Sequence, residues 1–161
     1  MVVAVSAFGQ TETLSPPEQL LETGIVHYRA GRYAEAVEDL NASTQGFLSP
    51  AEMQTYVNTG RFSKLAQIET AFVYLALAQK RLGNESEARE AVLRLLTAER
   101  IEPAYSRLQL AADGSEFEKL VATLVPGAAL GANTALVQAG PAPAQPERTR
   151  LAEQMMAQDC A

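Results

Sequence analysis

His27 is the only histidine in the chain and Cys160 the only cysteine. An imidazole is well suited to moving protons near neutral pH, and a thiol can serve as a nucleophile or a metal ligand. The two are far apart in sequence. No second cysteine exists to close an intramolecular disulfide or to build a cysteine-based metal site. The neighbours of His27 fit a helix that packs on another, so it reads as a core or interfacial histidine. Cys160 reads as an exposed thiol, with an intermolecular bridge as the alternative. Glu35, Glu38 and Asp39 are a carboxylate group of the kind that can hold a cation. They stand near the start of a helical pattern, where the dipole favours negative charge, and read as a solvated face. No glycine-rich phosphate loop and no serine nucleophile elbow occurs. These residues argue against an enzyme and imply no cofactor and no metal.

The elements that must position these side chains are helical. Ala, Leu, Glu, Gln and Arg dominate, and runs of β-branched residues are few. The 161 residues are enough for one domain with a real core. With no Trp and 6% aromatic residues, that core must be aliphatic and packed with small residues. The net charge is −6 and no basic cluster occurs, which argues against nucleic acid as a partner.

Caps mark the helix boundaries. Ser15-Pro16-Pro17-Glu18 supplies a hydroxyl cap, Pro in the first turn and Glu three residues on; Ser49-Pro50-Ala51-Glu52 repeats the device. Ser115 to Glu118 is a third capping box, and Asn84 can cap a helix beginning at Glu85. Helices are predicted at about 16–30, 33–44, 50–58, 64–82, 85–101 and 116–125. Thr59 to Phe62 reads as the turn leading out of the third. The fourth is apolar around nearly its whole circumference, and such a helix is central and buried. It is expected to lie on the first hairpin, on its own partner helix and under the third helix.

Between the first two helices, Tyr28-Arg29-Ala30-Gly31-Arg32-Tyr33-Ala34-Glu35-Ala36 runs a helical pattern into a glycine and restarts it at once. Glycine ends helices because it takes positive φ without penalty. The same device recurs 52 residues on: Arg81-Leu82-Gly83 matches Arg29-Ala30-Gly31, and Glu87-Ala88 matches Glu35-Ala36.

This pattern resembles the tetratricopeptide repeat (TPR), a family of stacked antiparallel helix pairs. The first copy carries Leu20, Gly24, Tyr28, Gly31, Tyr33, Ala36 and Leu40; the second carries Phe72, Leu75, Ala76, Gly83, Ala88 and Val92. Thr23, His27 and Glu85 depart from the family pattern. The family period is about 34, so roughly 18 residues are inserted between the copies. The resemblance covers about 20–43 and 70–103. It implies an all-α fold of antiparallel helical hairpins stacked as a short right-handed solenoid, with a helical insertion between repeats. Glu102-Pro103-Ala104-Tyr105 resembles the end of a repeat. Residues 104–125 then read as a cap over the open end, with Leu108, Leu110, Phe117, Leu120, Val121 and Leu124 as cover. The TPR-like domain spans 15–125. Residues 126–146 form an Ala/Pro/Gly-rich linker, and 147–161 a short tail helix or a disordered tail. If helical, the tail is a tethered segment that folds on docking to a partner or to the chain's own groove.

By the same resemblance the chain binds a peptide or helix of a partner protein in a groove lined by the first helix of each pair. The groove positions are Leu21, Ile25, Tyr28 and Arg29 in the first copy and Val73, Leu77, Lys80 and Arg81 in the second. Ile25 and Leu77 replace the polar residues needed by the family's carboxylate-clamp members. Arg29 and Arg81 pair with carboxylates of a ligand, or else stabilise their own helix C-termini. The expected function is that of an interaction module or scaffold. The alternative is a permanent accessory subunit of a cell-envelope assembly. Two repeats are few for a solenoid, a deficit met by the insertion and cap or by a homodimer.

Met1 to Phe8 is apolar and uncharged, and Ala7 and Gly9 have the small-x-small form that signal peptidase reads. Residues 1–9 read as the remnant of a signal peptide, which implies a periplasmic or secreted protein. A cytoplasmic protein with an apolar start is the alternative. No other stretch is apolar enough for long enough to span a membrane.

Overall fold

The computed structural model describes residues 14–101, 111–127 and 144–156. Residues 1–9, Pro103, Tyr105, Leu108, Leu110, most of the 126–146 linker and Cys160 lie outside the described residues. Among those described there are seven helices and no strand: α1 (Pro16–Arg29), α2 (Tyr33–Phe47), α3 (Pro50–Thr59), α4 (Leu65–Leu82), α5 (Glu85–Ile101), α6 (Ala111–Leu124) and α7 (Gln145–Met156). The fold is all-α, with adjacent helices packed as hairpins.

Local chemistry sets most boundaries. At α1 the Ser15 N–H and hydroxyl both donate to Glu18 Oε2, at 2.9 and 2.7 Å. At α3 the Ser49 hydroxyl accepts from the Glu52 N–H. The two hairpin turns are built alike. Gly31 and Gly83 have φ of 77° and 82°. After α1, Gly31 N–H donates to Tyr28 O and Arg32 N–H to His27 O. After α4, Gly83 N–H donates to Lys80 O and Asn84 N–H to Gln79 O. Both sets satisfy carbonyls that the helix end leaves orphaned, in the Schellman pattern.

Packing follows from small residues. A Cβ on Gly24 would lie 2.7 Å from Leu40 Cγ, and one on Gly46 would lie 2.5 Å from Pro17 Cγ. α1 and α2 therefore approach closely both at mid-helix and where the start of α1 meets the end of α2. Ser43 adds a hydroxyl bond to Pro17 O at 2.7 Å. Phe47 is buried, and together with the Gly46 contact it carries α2 past the expected end at 44. α4 packs against α1, α2, α5 and α6. Ala71, Phe72, Val73, Ala76 and Ala78 are fully buried, as the all-round apolar pattern predicts.

Two expectations change, and one alternative is chosen. α6 begins at Ala111, so Ser115 lies inside a helix and is not its cap. The helix formers Ala111 and Ala112 extend it backwards through Gly114. The expected cover is otherwise in place, with Phe117, Leu120 and Val121 buried where α6 meets α4 and α5. α3 was expected over α4, but its main packing partner is α7. The segment expected to be either helical or disordered is helix α7, begun at Gln145 and seated on α3 and α5. Its buried residues are Leu151, Ala152 and Met155, at helical spacing on one face.

Candidate functional site

Three of the expected groove positions, Tyr28, Arg29 and Arg81, are linked through Tyr74 and Glu116. Tyr28 is the hub. Its ring meets Tyr74 edge-on at 5.4 Å between centroids and Tyr33 at 5.6 Å. Such tilted arrangements match the positive edge of one ring to the negative face of another. Arg29 lies over the Tyr74 ring, 5.8 Å from its centroid, and its Nη2 donates to the Tyr74 hydroxyl at 3.0 Å. The Tyr28 hydroxyl donates to Glu116 Oε2 at 3.3 Å, and Arg81 pairs with the other oxygen of the same carboxylate. Glu116 of α6 thus bridges α1 and α4. Burial pushes the Tyr28 phenol up, and Arg81 pulls it partly back. The hydrogen bond to Tyr28 and the charge of Glu116 hold the Arg81 guanidinium more firmly protonated.

The expected groove residues divide into two sets. Leu21, Tyr28, Val73 and Leu77 are buried within the chain itself. Ile25 is half-buried and packs on the core. Arg29 and Arg81 are exposed, and Lys80 is half-buried. Lys80 pairs with Glu85 across the turn after α4, and Arg32 pairs with Glu35 after α1. Each of these cations is engaged by a neighbour.

His27 faces α2. Its Nδ1 lies 2.9 Å from Asp39 Oδ2 and its Nε2 lies 3.6 Å from Glu35 Oε2. This is the interfacial placement expected of it: the imidazole ties one helix of the hairpin to the other. Among the described residues no group of three or more His, Cys, Asp or Glu converges as a metal site. No described helix is long and apolar enough to cross a membrane.

Three features escape the sequence reading. Glu116 passes there as a capping residue, because its partners lie 35 and 88 residues away. Glu18 is paired at 2.7 Å with Lys64, which ties the start of α1 to the start of α4. Glu69 is fully buried in the middle of α4. It is the one acid in that helix, and a single acidic residue in an all-round apolar pattern is a signal that could have been read. No protein-family model, no curated protein and no solved structure matches this chain.

Proposed function

We propose that this protein is a TPR-like interaction module that docks a peptide or helix of a partner protein. The observation that carries the reading is the duplicated hairpin. Gly31 and Gly83 close equivalent turns, and α4 packs against both helices of the preceding hairpin, as the first helix of a following repeat does. Stacked helix pairs hold a fixed surface across several elements, and a preformed surface binds with little ordering cost. Arg29 and Arg81 stand at the tyrosine cluster, and Lys80 precedes Arg81 on α4, a set suited to carboxylates on an extended partner. An exported location is part of the same proposal and rests on the apolar residues 1–8 followed by Gly9.

Cross-linking of the tagged full-length protein in its own cells, with fractions kept separate and co-purifying proteins identified by mass spectrometry, tests the reading. The variant R29E/K80E reverses two rim charges and leaves the Arg81–Glu116 pair in place. One recurrent partner whose recovery falls at least fivefold in that variant, at unchanged helicity, is the expected result. Recovery with no protein, or with a partner indifferent to both charges, sinks the rim as a docking surface.

A further inference from the structure

We infer that the seat of α7 on α3 and α5 is an exchangeable binding site for an amphipathic helix, and that α7 is its built-in occupant. The inference rests on the interaction-module reading only for the source of the displacing helix.

Among the described residues, α7 buries one narrow face. Leu151, Ala152 and Met155 are its buried residues, while Gln145, Pro146, Glu147, Thr149, Arg150, Glu153 and Gln154 are exposed. A helix of 12 residues is marginal by itself, so it is helical here because it is docked. The sequence joining it to α6 is rich in Ala, Gly and Pro, the composition of a tether. Arg148 helps to fix its register. Arg148 Nε donates to Val57 O at 3.1 Å, and its guanidinium lies over Gly60, where a Cβ would meet Nη1 at 2.9 Å. Gly60 ends α3 with φ of 74°. A cation thus caps the negative end of α3, and a Cβ at residue 60 would have to displace the tip of that side chain.

The seat is incompletely satisfied by its occupant. Tyr56 is fully buried, stacked on Phe62 at 4.4 Å and 5°. It lies close enough to Arg148 and Glu147 to feel both charges, yet its hydroxyl has no hydrogen-bond partner among the described residues. A buried donor left unpaired favours any ligand that supplies an acceptor. The chemistry of the displacing helix follows. It carries Arg or Lys near its start, apolar residues three and seven positions later, a small residue at the fourth, and a carboxylate or amide placed to accept from Tyr56. This is helix-in-groove recognition, read on one face of the incoming helix.

A tethered occupant holds its seat with an effective concentration of about 1 mM, so a partner must bind well enough to outcompete it. The test uses the full chain and a synthetic peptide of residues 144–156 as probe. L151D/M155D places charge on the buried face of α7 and empties the seat. Peptide is titrated into wild type and variant, and the Val57 and Gly60 amide signals are followed by NMR. The expected result is half-saturation of the variant at a peptide concentration at least tenfold below that of wild type. Equal titrations, or no shift in a variant whose helicity falls by no more than the share of α7, overturn the inference. Hydrogen exchange on the wild type gives a second readout that needs no variant. Exchange of α7 amides at least tenfold faster than those of α4 is expected. Exchange of both at one rate means α7 leaves only on global unfolding, and the seat is then not exchangeable. Neither measurement touches Arg29 or Lys80, so failure here and failure of the rim are told apart.

Discussion

Gly24 of α1 faces Leu40 of α2 so closely that an added methyl would sit 2.7 Å from Leu40 Cγ and 3.0 Å from its Cδ2. Leu40 is fully buried and has no free direction in which to retreat. Replacing glycine by alanine in a helix ordinarily gains up to about 1 kcal/mol. Overpacking a closed core costs about 1–3 kcal/mol. G24A is therefore expected to lower stability by about 1 kcal/mol, seen as a reduced urea midpoint at unchanged slope. A midpoint at or above wild type would mean that the hairpin can open without cost.

Gly31 and Gly83 offer the complementary case. Nothing lies within 4 Å of a Cβ on either, so space is not the constraint and the positive φ is. G31A and G83A are each expected to cost about 1 kcal/mol, because a side chain disfavours the left-handed region. Asn should be milder than Ala at both. The check is the pair of thermal melts side by side. A large difference between the two sites would contradict the equivalence of the turns.

Glu18 carries a pH prediction. Lys64 first, then the Ser15 hydroxyl and N–H, lower its carboxyl from 4.5 to about 2. The folded state thus releases this proton more readily than the unfolded chain. The stability it contributes is complete above about pH 4.5 and is lost as pH falls through about 2. E18Q should lie below wild type in melting temperature at pH 7, with the two converging as pH approaches 2. Parallel curves across that range would show that the Glu18–Lys64 tie adds nothing.

The Tyr56 hydroxyl predicts a gain from removal. Y56F keeps the stack on Phe62 and deletes a donor that lacks a partner among the described residues. The expected change is between neutral and about 1 kcal/mol more stable. Burial also pushes this phenol above its ordinary 10.0. A group raised in the fold contributes its stability below the unfolded value and loses it as pH rises through the folded one. Wild type should therefore weaken above about pH 10 relative to Y56F, measured by denaturant titration at each pH.

The parts of the fold legible in the sequence are those governed by neighbours a few residues apart. Ser15, Ser49, Gly31, Gly60 and Gly83 announce helix ends because capping is a property of four to six consecutive residues. The all-round burial of α4 was legible for the same reason. Long-range pairings were not. Nothing near Glu116 in sequence points to Tyr28 or Arg81, and nothing near Arg148 points to Val57. The extension of α2 to Phe47 depends on Pro17 receiving Gly46, a contact between helices with no local signature. The candidate site could be named only through the family resemblance; of its positions Leu21, Tyr28, Val73 and Leu77 are buried within the chain, while Arg29 and Arg81 are exposed.

The contact between Arg148 and Val57 spans 91 residues, whereas each hairpin closes through a turn of a few residues. Loop entropy must be spent before so distant a contact returns anything, so the hairpins assemble first and α7 arrives after the rate-limiting barrier. Changes on its buried face should then leave the refolding rate untouched and speed unfolding alone. The newborn chain would pass through a compact species with its two hairpins formed and the flank of α3 bare. That species is the one a chaperone would meet, and the one most prone to associate with its own kind.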